Sequence, residues 1–140
     1  MYKFIFSNKI TYTDLGLFLI RIGIGLSMMI FHGYPKIKGG PELWTNLGSD
    51  MSVVGINFLP VFWAFMAGFS EFFCSILLII GILFRPAAFL LAMTMVIAVL
   101  KHLSIPEGNP GAGWAGASHA LELLVIYAAL ILSGPGKYKV

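Results

Sequence analysis

Several ionisable side chains stand inside stretches of sequence that are otherwise almost wholly apolar. Four lie well within such stretches and two histidines lie near their ends: Arg21, Glu71, His119 and Glu122, with His32 and His102. A titratable group within an apolar helix is costly in a membrane, so it normally points into a helix bundle or a wet cavity and is a candidate for function. His119 and Glu122 are three residues apart on one helical face, and a histidine beside a carboxylate can accept and donate protons near neutral pH. These residue types therefore indicate proton chemistry inside a membrane.

Each apolar stretch carries one small or polar helical face on which these residues recur at the i, i+4, i+7 spacing. In the first two stretches the faces are Arg21, Gly25, Met28 and His32, and Ala64, Gly68, Glu71 and Ser75. In the last two they are Ala87, Leu91, Thr94, Ala98 and His102, and Ala115, Ser118 or His119, Glu122, Ile126, Ala129 and Ser133. Small residues let helices approach closely, so we expect the four faces to meet at the centre of a bundle.

Depth gives a second test of whether these groups belong together. A rise of about 1.5 Å per residue puts His32 and His102 near the outer surface and His119 and Glu122 further in. Arg21 and Glu71 then fall together near mid-membrane. The sequence therefore predicts one polar path, with Arg21, Glu71, His119 and Glu122 as catalytic residues, His32 and His102 as cofactor-binding residues, and no metal site.

Simpler roles account for some of the same residues. Arg21 and Glu71 could form a buried ion pair that only neutralises two expensive charges and fixes helix register. His32 and His102 stand where the headgroup region begins and could be interfacial anchors. His119 and Glu122 could form a hydrogen-bond latch between helices.

The composition requires a membrane around these residues. Of the 140 residues, 59% are apolar and only 11% are charged, which is far from the composition of a soluble domain. Four segments are long enough to cross about 30 Å of hydrocarbon, near residues 15–34, 59–84, 86–102 and 114–133. The sequence predicts an all-α membrane protein, a four-helix transmembrane bundle that forms a single domain over residues 1–140.

The connections between the spans complete this prediction. The segment between the first two spans mixes Trp, Met and Val with few charges, which favours a short interfacial helix over a free loop. Arg85 and Pro86 separate the second and third spans, so these helices should form a tight hairpin. The distribution of Lys and Arg predicts that both termini lie in the cytoplasm.

Other functional classes are disfavoured by the same sequence. The nine Lys and Arg residues are spread along the chain, so no nucleic-acid-binding surface is predicted. Cys74 is the single cysteine, which excludes an internal disulfide or a CxxC redox pair. The sequence also carries no Gly-rich dinucleotide motif.

The order of spaced residues resembles the DoxX family of small four-helix membrane proteins, over residues 15–138. The resemblance is carried by Arg21, Gly25, His32, Gly33, Lys36, Gly68, Glu71, Gly81, Arg85, His102, Glu122 and the tail Gly134, Pro135 and Gly136. It implies a protein of the bacterial or archaeal cytoplasmic membrane, since the family is named for a subunit of a thiosulfate:quinone oxidoreductase. It also implies membrane or soluble oxidoreductase partners, and Arg21, His32, Glu71, His102 and Glu122 match polar positions of the family.

Three functions remain open at this stage. The first is a quinone-reactive redox subunit, an oxidoreductase subunit that acts with a partner, in which Arg, Glu and His orient the quinone and handle protons. Haem held by His32 and His102 is a less favoured version, because a macrocycle needs clear space in the bundle. The second is a non-catalytic assembly subunit of a larger membrane complex, and the third a protein that binds or transports a small molecule or a lipid. The sequence leaves homo-oligomerisation open.

Overall fold

The computed structural model describes residues 12–140, and over that range the fold is all-α. Five helices occur in chain order: α1 Thr13–Lys38, α2 Gly40–Gly48, α3 Pro60–Ile80, α4 Phe84–Ser104 and α5 Gly113–Ser133. A 3₁₀ turn, Ser49–Val54, follows α2. The helices α1, α3, α4 and α5 are long and apolar enough to span a membrane. The predicted four-helix membrane fold, with a short helical segment between the first two spans, is therefore confirmed.

The helix bounds differ from the sequence prediction by four residues at two places and by no more than two residues elsewhere. The first helix runs past the predicted end at residue 34 and through Pro35, which has no amide hydrogen to give to the turn before it. The chain widens into a π-helical turn at Met28–Gly33 just before this proline, and such adjustments let a membrane helix continue past proline. At the other place, α3 ends at Ile80 rather than residue 84, because Gly81 adopts a left-handed conformation with φ of 88°.

The α1 and α3 helices cross closely because glycine lies at their contact. A Cβ atom on Gly33 would stand 2.6 Å from the backbone carbonyl carbon of Glu71, and one on Gly25 would meet the side chain of Ile79. At Gly33 the neighbouring atoms are backbone and cannot move aside, so only glycine fits there, in agreement with the expected close approach at small residues. The α4 helix packs against α3, and α5 packs mainly against α4.

The last helix is turned differently from the prediction. Its buried face consists of Ala117, Ala120, Leu123, Tyr127 and Leu130, whereas His119 and Glu122 are exposed. The small and polar faces of the first three spans do point inward, but that of the fourth does not. Bulky Leu123 and Tyr127 share the buried cluster with small Ala87 and Ala88 of α4, so these sizes complement each other and the polar face is left outside.

Both ends of the described chain lie at the same end of the bundle. The backbone amide of Lys137 donates a hydrogen bond of 3.1 Å to the Asp14 carboxylate at the start of α1. An even number of spans requires this arrangement. The cytoplasmic location of that end stays a prediction.

Candidate binding cavity

A cavity of about 330 Å³ opens between α1, the α2 segment, α3 and α4, and we call it the Glu71 cavity. Its apolar wall includes Trp63, Met66, Leu90, Met93 and Ile97. Its polar residues are Lys36, Asp50, Ser70, Glu71, Thr94, Lys101 and His102. A mainly apolar pocket with a few converging polar groups is the usual form of a small-molecule site.

The Glu71 carboxylate is a buried charge in the cavity wall, and only one of its two oxygens has a partner. Its side chain is 3% exposed, and Oε1 lies 2.5 Å from Nζ of Lys36. The second oxygen, Oε2, is buried and has no hydrogen-bond partner among residues 12–140. The hydroxyl of the neighbouring Ser70 is buried and unpartnered in the same way. Within residues 12–140 a third buried polar atom, the Tyr127 hydroxyl, also has no partner, but it does not line the cavity. Buried polar atoms are almost always hydrogen-bonded, so the two unpaired atoms on adjacent cavity residues need an explanation.

Local helix geometry sets this arrangement. Residues Ser70–Cys74 form a π-helical turn in α3, and it faces the π-helical turn Met28–Gly33 of α1 across the Gly33 contact. Single π turns inside α-helices are frequent at functional sites, because they shift side chains off the regular register. The Ser75 hydroxyl donates a 2.7 Å hydrogen bond to the Glu71 carbonyl, which supports the backbone in the widened turn.

Two polar contacts lie where α4 ends beside the cavity. Nζ of Lys101 is 2.8 Å from an Asp50 carboxylate oxygen, which ties α4 to the 3₁₀ turn. Nδ1 of His102 lies 2.7 Å from the Gly111 carbonyl. A carbonyl can only accept, so Nδ1 carries the hydrogen, and Nε2 of a neutral His102 ring is left as an acceptor.

Arg21 lies away from the cavity, and the predicted Arg21–Glu71 pair is wrong. The guanidinium is completely buried and donates to four backbone carbonyls, those of Leu78, Ile79, Pro135 and Tyr138, at 2.6 to 2.9 Å. The depth count failed because α1 extends four residues beyond its predicted outer end, which moves Arg21 about 6 Å further in. There it meets the last carbonyls of α3.

His119 and Glu122 also lie outside the cavity, so the single polar path from Arg21 to the outer surface is wrong. The His119 ring stacks on His32 with the ring centres 5.6 Å apart, and Glu122 is exposed three residues further along α5. Of the six predicted site residues, only Glu71 and His102 line the Glu71 cavity. The catalytic assignments of Arg21, His119 and Glu122 stay predictions, as does the cofactor role of His32.

Sequence reasoning missed Lys36 and Ser70 as site residues. Lys36 follows His32 by four residues and therefore lies on the same helical face as Arg21 and His32. This spacing could have identified it as a site residue. The prediction ended the first span at residue 34 and therefore left Lys36 outside it. Ser70 carries no such signal, because in a regular helix it points about 100° away from Glu71.

A comparison with protein families gives one match. The family model described as DoxX matches residues 16–103, which is more than half of the chain and includes all of α2 and α3 and most of α1 and α4. Neither the curated proteins nor the solved structures contain a match to the chain. The matched range contains every residue that lines the Glu71 cavity and ends before α5.

Proposed function

We propose that this chain, which belongs to the DoxX family, binds a small apolar molecule with a quinone-type head group in the Glu71 cavity. In this proposal it is the membrane subunit that holds the head group, and an oxidoreductase partner supplies the electrons. Four helices of the chain are long and apolar enough to span a membrane, which supports a ligand that is itself dissolved in the bilayer.

The observation that carries the proposal is the pair of orphaned atoms, Ser70 Oγ and Glu71 Oε2. Leaving a buried polar group unpaired costs about 1–3 kcal/mol, so a ligand that satisfies both atoms regains that free energy on binding. A hydroxyl does so with one oxygen, since it can donate to the carboxylate and accept from the serine. A carbonyl could accept from Ser70 alone. The residues therefore fit the reduced, hydroxyl form of a quinone head group best.

The charges around the cavity suit proton transfer at that head group. A quinone that takes up two electrons also takes up two protons, so its site needs groups that hold protons. Glu71 can hold one at Oε2 while Oε1 keeps its contact with the Lys36 ammonium. Lys101 and His102 lie at the end of α4, where a proton can exchange with water.

An assembly role is the second candidate, and a different part of the molecule favours it. Glu122 and His119 are exposed on α5 at the depth of the hydrocarbon, where a lipid neighbour would leave a carboxylate without a partner. This observation supports contact with another protein and does not involve the Glu71 cavity.

Trp63 lines the cavity and provides the readout for a binding test. We expect a short-chain ubiquinol analogue to quench tryptophan fluorescence of the purified protein, and Ser70→Ala with Glu71→Gln to weaken binding about 10- to 100-fold, as loss of a hydrogen bond to a charged group does. Trp63→Phe should remove most of the quenching without removing the protein fold.

The matched control is Glu122→Gln, which makes the same chemical change outside the cavity. It should bind the analogue with unchanged affinity. Equal weakening by Glu71→Gln and Glu122→Gln, or binding that survives Ser70→Ala with Glu71→Gln, would contradict the proposed site.

A further inference from the structure

Glu122 is an exposed carboxyl group near the middle of a membrane-spanning helix. It is the tenth of the 21 residues of α5, about 14 Å from the start of the helix. No hydrogen bond or ion pair of its side chain occurs within the described chain, residues 12–140. A charged group at this depth is rare on a lipid-facing surface, because it costs a few kcal/mol or more there. The position therefore favours a polar neighbour from outside residues 12–140.

The surroundings of Glu122 on α5 suit a close protein neighbour. We define the α5 polar face as Ala115, Ser118, His119, Glu122 and Ala129, all of which are exposed. Three of these residues are small, so another helix could approach the backbone closely. The bulky exposed residues Leu121, Val125 and Leu132 lie on a neighbouring strip of the same helix. The α5 polar face thus differs from the lipid-facing surface beside it.

We propose that two copies of this chain associate through the α5 polar face, with His119 of each copy donating a hydrogen bond to Glu122 of the partner subunit. Two copies inserted in the same direction are related by a two-fold axis along the membrane normal, so each residue meets its partner at equal depth. His119 and Glu122 differ in depth by about 4.5 Å, a gap that the two side chains can bridge diagonally. One face carries both the donor and the acceptor, so it is complementary to itself.

This self-complementarity is the reason for choosing a second copy over another protein. An isologous contact forms the His119 and Glu122 pair twice, once on each side of the axis, and leaves neither carboxylate facing lipid. A different partner would need its own donor at the depth of Glu122. The proposal does not depend on ligand binding, because none of its residues lines the Glu71 cavity.

Disulfide cross-linking in membranes tests the contact without altering the charges. In a Cys74→Ala background, Ala129→Cys should form a disulfide-linked dimer on mild oxidation, since Ala129 lies two turns from Glu122 on the same face and the proposed contact brings the two cysteines within reach. Leu132→Cys is the matched control, three residues away and 83% exposed on the same helix. We expect at least tenfold more dimer for Ala129→Cys. Equal amounts for the two positions, or no dimer from either, would overturn the proposal.

Exchanging the residues at positions 119 and 122 then tests whether the partner at the α5 polar face is a second copy of this chain. Glu122→His alone and His119→Glu alone should each lower the cross-linked fraction of Ala129→Cys at least fivefold, because like groups then face each other. Combined in one chain, the two substitutions restore a complementary face and should return the fraction to within about twofold of the starting value. A heterologous partner cannot be restored in this way. Failure of the double variant to recover, or a cross-linked product with the mass of a different protein, would exclude the two-copy interface.

Discussion

The two most deeply buried charges within residues 12–140, Arg21 and Glu71, have opposite surroundings. Every nitrogen of the Arg21 guanidinium donates to a backbone carbonyl, and Phe84 lies beside it with its ring centre 5.4 Å from the guanidinium carbon. Glu71 uses one oxygen for Lys36 and leaves the other unpaired beside a cavity. Every nitrogen of the Arg21 guanidinium is thus hydrogen-bonded by the protein, whereas one of the two Glu71 carboxylate oxygens is not.

The Arg21 contacts complete the end of α3. The last carbonyls of a helix have no intrahelical partner. Here the carbonyls of Leu78 and Ile79 accept hydrogen bonds from Arg21, and the carbonyl of Ile80 accepts one from the backbone amide of Val140. The same guanidinium donates hydrogen bonds to the carbonyls of Pro135 and Tyr138, so it attaches the C-terminal tail to the end of α3. These contacts give Arg21 a structural role, and its predicted catalytic role is not tested by them. An unpaired atom beside open space, as at Glu71, is what a binding site requires before its ligand arrives.

The largest effect that separates the two regions should come from Arg21→Met. Four carbonyls lose their donor, two of them at the end of α3, so we expect a loss of about 3–5 kcal/mol in the free energy of unfolding. Cys74 is the single cysteine and is 1% exposed, so the rate of its reaction with a maleimide dye during denaturant titration reports unfolding.

Arg21→Lys provides the control for charge. Lysine keeps the positive charge but has one nitrogen in place of three, so it should recover only part of the lost stability. If Arg21→Met unfolded at the wild-type denaturant concentration, the comparison would fail. The Arg21 hydrogen bonds would then contribute nothing to the free energy of unfolding.

A smaller but still clear effect should follow from Gly33→Ala, which acts where α1 crosses α3. The added methyl would stand 2.6 Å from backbone atoms of Glu71 and Phe72, and backbone cannot move aside as a side chain can. We expect a loss of about 1–3 kcal/mol, as for other overpacked contacts, together with weaker binding in the Glu71 cavity. Gly23→Ala is the matched control in the same helix, since nothing lies within 4 Å of its Cβ position. Similar stabilities of the two variants by Cys74 labelling would contradict the close crossing.

The sequence predicted the fold and the inward faces of three spans because apolar length and helical spacing are local properties. Arg21, Gly25 and Met28 are buried on one face of α1, and Gly68 and Glu71 on one face of α3, as the periodicity indicated. The orientation of α5 could not be predicted in this way. Both of its faces have helical spacing, and the choice between them depended on how Tyr127 fits the small residues of α4.

The site was predicted less well than the fold, for reasons of register. Residue 34 was taken as the end of α1, and that choice shifted Arg21 towards Glu71 and excluded Lys36. Two π-helical turns then changed the side-chain directions around Glu71, and no residue pattern in the sequence marks them. The pairing of a charge depends on such shifts of one turn, whereas the existence of a span does not.

Ser70→Ala should produce the smallest change in stability and the sharpest distinction between the two regions. Its hydroxyl is buried without a partner, so its removal should leave the free energy of unfolding unchanged or raise it by about 1 kcal/mol. The same variant should weaken binding of a short-chain ubiquinol about 5-fold, since the ligand oxygen loses its donor. Ser75→Ala is the matched control, because that hydroxyl is equally buried but already donates to the Glu71 carbonyl. Ser75→Ala should lower the free energy of unfolding, measured by Cys74 labelling, more than Ser70→Ala does. If the two serines behaved alike in both assays, an unpaired atom beside the cavity would carry no information about binding, and the contrast between Arg21 and Glu71 would reduce to one of packing.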